Sequence, residues 1–350
     1  PVPYSAFLLG NPYRLVIDLP EVSWGVNGDT KTMKGVVTNL RYGLFRAGNS
    51  RIVVDLKSPV KLVEHDTLVK PDRIVFDLAP VGKAAFRSGK KFFAPNWTPP
   101  KRARPIQPTP KKQGDTRRII VIDAGHGGVD PGAIRAGVYE KRLTLRIANE
   151  VKRALEATGR YRVVVTRRRD VFLELRQRVE VARANKGELF LSLHADTARK
   201  RATRGASVYT LSNKASDRET AELVAKENRV DAFAGLDLDL EQYSGVVPEI
   251  LLDLRFRQTM NESSAFAETL LAHFARQKVR ILPRKPHRSA GFVVLKAPDV
   301  PSVLVELGYL SNKDDRKLLA TPDFRRRVAR AIIGAADDFF KRKDQLSATD

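Results

Sequence analysis

The sequence predicts an α/β fold, a mainly parallel sheet flanked by helices, preceded by a small all-β domain. Three observations lead there. From residue 118 onward, short apolar runs alternate with stretches of helical period, the pattern of a sheet covered by helices. Before residue 80 the period is two and β-branched residues dominate, which means strands. Between them, residues 81–117 turn to Pro, Lys and Arg and lose any hydrophobic period, so a solvated basic linker is expected there.

Within residues 1–80 a weak repeat recurs: RLVIDLP (14–20), RIVVDLK (51–57) and RIVFDLA (73–79). Each unit combines Arg, an apolar alternation, Asp and Leu. NGD at 27–29 and AGNS at 47–50 read as turns between hairpin strands. The charged ends of these strands are expected to face water. The second domain, 118–345, opens with the buried strand RRIIVIDA. EKRLTLRIANEVKRALEA (140–157) follows with Leu143, Ile147, Val151 and Leu155 at helical spacing, and Gly159 stops it. YRVVVTR, ELFLSLHAD, GASVYTL and VPSVLVELGYLS read as further strands. LELRQRVEVARAN reads as a helix with Leu175, Val179 and Ala182 on one face, and PDFRRRVARAIIGAADDFFKRK as a closing helix. Residues 214–232 and 249–277 are long helical stretches. FAGLDLDLEQYSGVVP (233–248) between them has neither period, and loops of that length often act as lids.

Composition narrows the chemistry. The 350 residues carry 63 Lys and Arg against 40 Asp and Glu, a net charge of +23. That excess suits an anionic polymer or surface. A nucleic-acid partner is not expected, because no recognition motif is present and few aromatics interleave the basic residues. There is no cysteine, so any metal must be held by His, Asp or Glu. No apolar run reaches the length of a membrane span.

The stretch VIDAGHGGVDPGA (121–133) sets His126 among glycines directly after an apolar strand. A phosphate loop is poorly supported, since Gly-Lys-Ser/Thr is missing and no helix starts at once. The glycines instead allow a sharp bend, leaving His126 at the carboxyl end of a strand, where open α/β sheets build their sites. His194 ends another apolar strand in the same way, and Glu140 opens a helix. Each alone has a bland reading: a turn histidine, a strand-end histidine, a charge complementing a helix dipole. Together they form the two-histidine, one-carboxylate set of catalytic zinc, with a fourth position for water. Glu306 lies inside the apolar strand SVLVELGYLS, where an unpaired carboxylate is expensive. It either forms a structural ion pair or serves as the general base beside a metal-bound water. His65, His273 and His287 are weaker candidates, a surface, a helix and a loop histidine. Asp123 and Asp196, flanking the candidate ligands, are expected to act through hydrogen bonds to them or to their loops.

IVIDAGHGGVDPGA, EKRLTL, TRRRDVFLELRQRVEVARANKGELFLSLHAD and GFVVLKAPDVPSVLVELGYLSN, in that order, resemble the zinc-dependent N-acetylmuramoyl-L-alanine amidases of the periplasmic, cell-separation type. The resemblance covers nearly all of 118–343. The β-rich start, with RYGLFRAGNSRIVVDL, resembles the AMIN targeting domain of the same proteins. The resemblance implies zinc held by His126, Glu140 and His194, and Glu306 as catalytic acid/base. The substrate it implies is the amide joining N-acetylmuramic acid to L-alanine in peptidoglycan. It also implies that the insertion at about 220–260 covers the zinc cleft, with a glutamate of the insertion, Glu249 or else Glu241, in the open zinc position. An activator carrying a LytM domain would then move the insertion. A periplasmic monomer is expected. The alternative is a catalytically silent peptidoglycan-binding protein.

Overall fold

In the computed structural model, residues 2–25, 33, 35–89, 91–93, 97, 99–100, 114–236 and 250–347 are described. The chain divides into two compact units, one built on the first 104 residues and the other on most of the remainder.

The first unit is all β among its described strands. A five-stranded antiparallel sheet has the order β3 (Val37–Arg46), β4 (Asn49–Leu56), β2 (Arg14–Pro20), β1 (Ser5–Leu9), β7 (Lys91–Phe93). A separate hairpin pairs β5 (Val60–Leu68) with β6 (Arg73–Pro80). Leu8, Leu15, Ile17, Leu19, Val54 and Leu56 form the core, as the period-two alternation requires. Two expectations change. Lys91–Phe93, inside the stretch read as linker, pairs antiparallel with β1 and extends the sheet. The repeat's charges also do not all face water, because Arg14, Asp18 and Arg51 are buried. The reason is register. Asp18 on β2 sits opposite Arg51 on β4, and the guanidinium binds both carboxylate oxygens at 2.7 and 2.9 Å. Arg51 also lies over the Phe45 ring, 3.5 Å from its centre. Arg14 donates to the carbonyls of Pro12 and Gly10 at 2.9 and 3.1 Å. Arg73 and Asp77 of the third repeat are exposed, as expected.

The second unit holds a six-stranded sheet built from β8 (Arg118–Ala124), β11 (Tyr161–Val165), β12 (Leu189–His194), β13 (Ser207–Leu211), β14 (His287–Ala290) and β15 (Ser302–Glu306). Their order is β11-β8-β12-β15-β13-β14, and every pairing is parallel except β13 with β15. A short hairpin, β9 (Ile134–Arg135) and β10 (Val138–Tyr139), stands apart. The longer helices among the described residues are α1 (Glu140–Ala157), α2 (Leu175–Ala184), α3 (Arg218–Glu227), α4 (Ile250–Arg276), α5 (Lys313–Leu319) and α6 (Pro322–Ser347).

Both faces of the sheet are covered, which is why its strands read as continuous apolar runs. Ile120 and Ile122 point to one core with Leu143, Ile147, Phe266, Phe274 and Ile332 from α1, α4 and α6. Ile119 and Val121 point the other way, to Leu175, Val181, Phe190, Phe292 and Leu304. Helix α2 buries Leu175 and Ala182 as expected and adds Arg178 and Val181, with Val179 half-buried. No helix among the described residues is long and apolar enough to cross a membrane.

Candidate metal centre and active site

β8, β12 and β15 run parallel, so their carboxyl ends share one edge of the sheet. His126 follows β8 by two residues, His194 ends β12 and Glu306 ends β15. His194 and Glu306 are register partners on neighbouring strands. They share parity with Phe190 and Leu304, so both lie on the face where those residues pack. Glu140 arrives from the first turn of α1. Its entry is fixed by its own backbone N–H, which donates to the Ala133 carbonyl at 2.9 Å.

One ligand atom each from His126, Glu140 and His194 lies within 4.8 Å of the others, and all three residues are buried. Oε1 of Glu140 is 3.2 Å from His126 Nε2 and 3.3 Å from His194 Nδ1. Two backbone amides orient that carboxylate: Ala195 N–H donates to Oε1 at 2.8 Å and Ala133 N–H to Oε2 at 2.7 Å. Burial alone would raise the Glu140 pKa, but the facing histidines hold it well below the carboxylate range. Nδ1 of His194 is buried without a hydrogen-bond partner. A buried nitrogen lone pair aimed at a carboxylate and a second imidazole is costly unless a cation sits among them. The donor set fits a divalent metal of borderline softness.

The glycines of the opening motif act by what they lack. A Cβ on Gly125 would stand 2.5 Å from Cε1 of His194. One on Gly132 would stand 2.6 Å from Cδ2 of His126 and 2.7 Å from Oε2 of Glu140. These glycines let backbone approach the ligand rings, besides bending the chain. His126 itself has φ of +62°, a left-handed conformation that a non-glycine residue adopts at some cost.

Glu306 is fully buried. Its Oε2 accepts from Asp196 N–H at 2.9 Å, while Oε1 has no hydrogen-bond partner. Burial first, then the negative charges of Glu140 and Asp196, push its pKa well above the usual carboxylate value. No ion pair of Glu306 occurs among the described residues, so the structural reading of this carboxylate loses its support.

A fourth acidic residue, not singled out by the sequence reading, joins the group. Glu227, last residue of α3, is buried, with Oε2 3.6 Å from His194 Nδ1 and 3.8 Å from His126 Nε2. Burial raises its pKa, partly offset by the two histidines. Helix α3 is capped by Asp217, which accepts from Thr220 N–H at 2.8 Å. Lys226 pairs with Asp196. Asn228 donates to the Gly291 carbonyl and accepts from Val293 N–H, both at 2.9 Å. A pocket lined by His126, Arg178, His194, Glu227, Val230 and Val294 lies at this junction. Glu241 and Glu249 lie outside the described residues. His65 is half-buried and bonded to the Tyr4 hydroxyl, His273 pairs with Asp338, and His287 starts β14 between Thr210 and Glu268. None of the three belongs to the ligand group.

The fold and site define an α/β protein with a His–Glu–His centre beside a buried carboxylate, at the carboxyl edge of its sheet. Residues 120–338 match the N-acetylmuramoyl-L-alanine amidase family model, residues 1–78 match the AMIN domain, and the chain belongs to that amidase family. It is a hydrolase of the amide bond that gives the family its name. N-acetylmuramoyl-L-alanine amidase AmiC of Neisseria meningitidis is 33% identical, covering 96% of this chain and 84% of that protein. AmiC of Escherichia coli is 31% identical over the same shares. Among solved structures, the catalytic domain of the amidase CwlV from Bacillus (Paenibacillus) polymyxa is 28% identical, covers 64% of this chain and 98% of its own, and gives a TM-score of 0.47.

Proposed function

We propose that this chain is a zinc amidase of peptidoglycan held in a covered state by Glu227. The observation that carries the reading is the convergence of His126, Glu140 and His194 within 4.8 Å, with Glu306 in register beside His194. These three residues would hold the zinc. A zinc held there would supply Lewis acidity, polarising the scissile carbonyl and making water a nucleophile near neutral pH. Glu306 takes a proton from the attacking water on its free Oε1 and returns one to the departing L-alanine nitrogen. Asp196 N–H holds the other oxygen of Glu306 and so fixes which oxygen carries the proton. Protonation of the amine makes it a competent leaving group.

Glu227 supports the covered reading more directly than the two glutamates expected from sequence. Its Oε2 lies 3.8 Å from His126 Nε2 and 3.6 Å from His194 Nδ1. A carboxylate there excludes the water that Glu306 must deprotonate. Activation then requires α3 to leave, a population shift driven by a partner that binds the open state better. An activator with a LytM domain, a periplasmic setting and a role in separating daughter cells complete the proposal. The excess positive charge suits attraction to the anionic wall.

Purified peptidoglycan incubated with the zinc-loaded chain tests the reaction. New L-alanine amino termini are expected, and Glu306→Gln should retain zinc while losing about 10²- to 10⁴-fold in turnover. Full activity in that variant would remove Glu306 from its role. Binding of peptidoglycan without cleavage, even after α3 is released, would favour the silent binder.

A further inference from the structure

Two arginines that the hydrolytic step does not use converge on the backbone that carries His126. Arg178 of α2 is buried. Its Nη2 donates to the His126 carbonyl at 3.0 Å, Nη1 to the Ala124 carbonyl at 3.0 Å, and Nε to the Leu173 carbonyl at 3.1 Å. Arg167, just beyond β11, is equally buried. Its Nε donates to the Ala124 carbonyl at 2.9 Å, and Nη2 to the carbonyls of Gly125 and Lys141 at 3.0 and 2.7 Å. Three successive carbonyls, 124 to 126, therefore end on two guanidinium groups. The Lys141 carbonyl lies one residue past Glu140, so Arg167 ties the loop of one ligand to the helix turn of another.

The network closes on the third ligand through Asp123. That carboxylate pairs with Arg178 Nη1 at 2.8 Å and accepts from Ser192 Oγ, two residues before His194 on β12, at 2.7 Å. Thr166 Oγ1 donates to it at 2.6 Å, and Thr144 Oγ1 donates to the Gly125 carbonyl at 2.8 Å. Burial opposes the charge on Asp123, but Arg178 and the two hydroxyls keep it ionised. One charge neutralises another inside the protein, and the remaining donors are spent on loop carbonyls. A general helix-to-sheet clamp would not select three consecutive carbonyls next to a ligand held at φ +62°.

We infer that Arg167 and Arg178 are positioning residues for the metal centre: they hold the 124–126 backbone so that His126 keeps its left-handed conformation, and they fix its spacing from Glu140. The inference rests on the metal reading proposed above. Planar multidentate donation is the feature a lysine cannot reproduce, although it keeps the charge.

Cobalt(II) binding by the full chain tests it, read by titration and by the visible absorption that reports coordination geometry. Arg178→Lys and Arg167→Lys are each expected to weaken cobalt binding by about 10- to 100-fold and to alter the spectrum. Melting of the metal-free variants is followed alongside, because losing buried acceptors' partners lowers stability by itself; the positioning role is read from affinity and spectrum. Thr144→Val, a milder change, should give a smaller loss in the same direction, and it serves if either lysine variant fails to fold. His126→Ala is the control for the metal reading. If the unaltered chain binds no cobalt, or His126→Ala binds it as well as the unaltered chain, the metal reading falls and this inference with it. If the unaltered chain binds, and the lysine variants match its affinity and spectrum or lose only thermal stability, the positioning role alone is overturned.

Discussion

The elements that present His126, Glu140 and His194 are held very differently from the helix that presents Glu227. These three proposed ligands sit on backbone fixed by buried, charge-assisted bonds: two arginines to loop carbonyls, two amides to Glu140, a fully buried Arg178–Asp123 pair. Helix α3 is short. It buries few residues, rests Leu223 and Val224 half-buried on the neighbouring core, and relies on Lys226–Asp196 and the Asn228 bonds near its end. Local stability follows burial and contact density, so under the proposed function the helix that carries Glu227 is the element expected to open first. On the proposed function, such a chain would keep its metal while its cover comes and goes.

That contrast predicts opposite signs for substitutions in the two regions. The largest effect belongs to the cradle. Gly125→Ala places a methyl 2.5 Å from Cε1 of the His194 side chain, so that ring has to shift. Overpacking of this kind costs about 1–3 kcal/mol, and here the ring that shifts belongs to a proposed metal ligand. Zinc affinity measured against a chelator should fall by roughly 10- to 100-fold, as other disturbances of ligand orientation do. An alanine variant with unchanged zinc affinity would show that the cradle tolerates motion, and the comparison would lose its rigid half.

The middle effect belongs to Glu227. Glu227→Ala removes the carboxylate proposed to cover the site while leaving the cradle intact. Hydrolysis of peptidoglycan without any activator should rise by about 5- to 150-fold, the span of ordinary coupling between a site and its regulator. A fall in turnover would mean that Glu227 helps the reaction rather than blocking it.

The two regions also differ in how far sequence exposed them. That His126, Glu140, His194 and Glu306 come together was legible because strand ends and a helix start are local patterns, and a lone carboxylate in an apolar strand is conspicuous. The parallel sheet was legible for the same reason. Arg178 left a fainter signal: it lies three residues after Leu175 and four before Ala182, on the face that α2 buries. Glu227 gave less still. It follows Thr220 by seven residues on one helical face, but a glutamate near a helix end is ordinarily solvated, and its burial depends on where α3 docks. The buried Asp18–Arg51 pair was hidden too, because cross-strand register, not local pattern, turned those charges inward.

The smallest effect probes how the cover moves. Asp217 caps α3 at the end opposite Glu227, and losing a cap costs about 1 kcal/mol. If α3 undocks as one unit, Asp217→Ala weakens the whole cover, and activator-free hydrolysis rises by about fivefold, the factor that 1 kcal/mol commands. If only the Glu227 end swings, fraying the first turn leaves hydrolysis unchanged, while amide exchange at Thr220 still accelerates. Asp217 also faces Arg288 at 3.6 Å, so charge must be separated from capping. Asp217→Asn keeps the cap acceptor and loses the charge. Hydrolysis raised by alanine but not by asparagine assigns the effect to helix integrity and makes α3 a single detachable element. Equal increases in both variants would assign it to the Arg288 contact, and the helix would be held by its flank rather than by its fold.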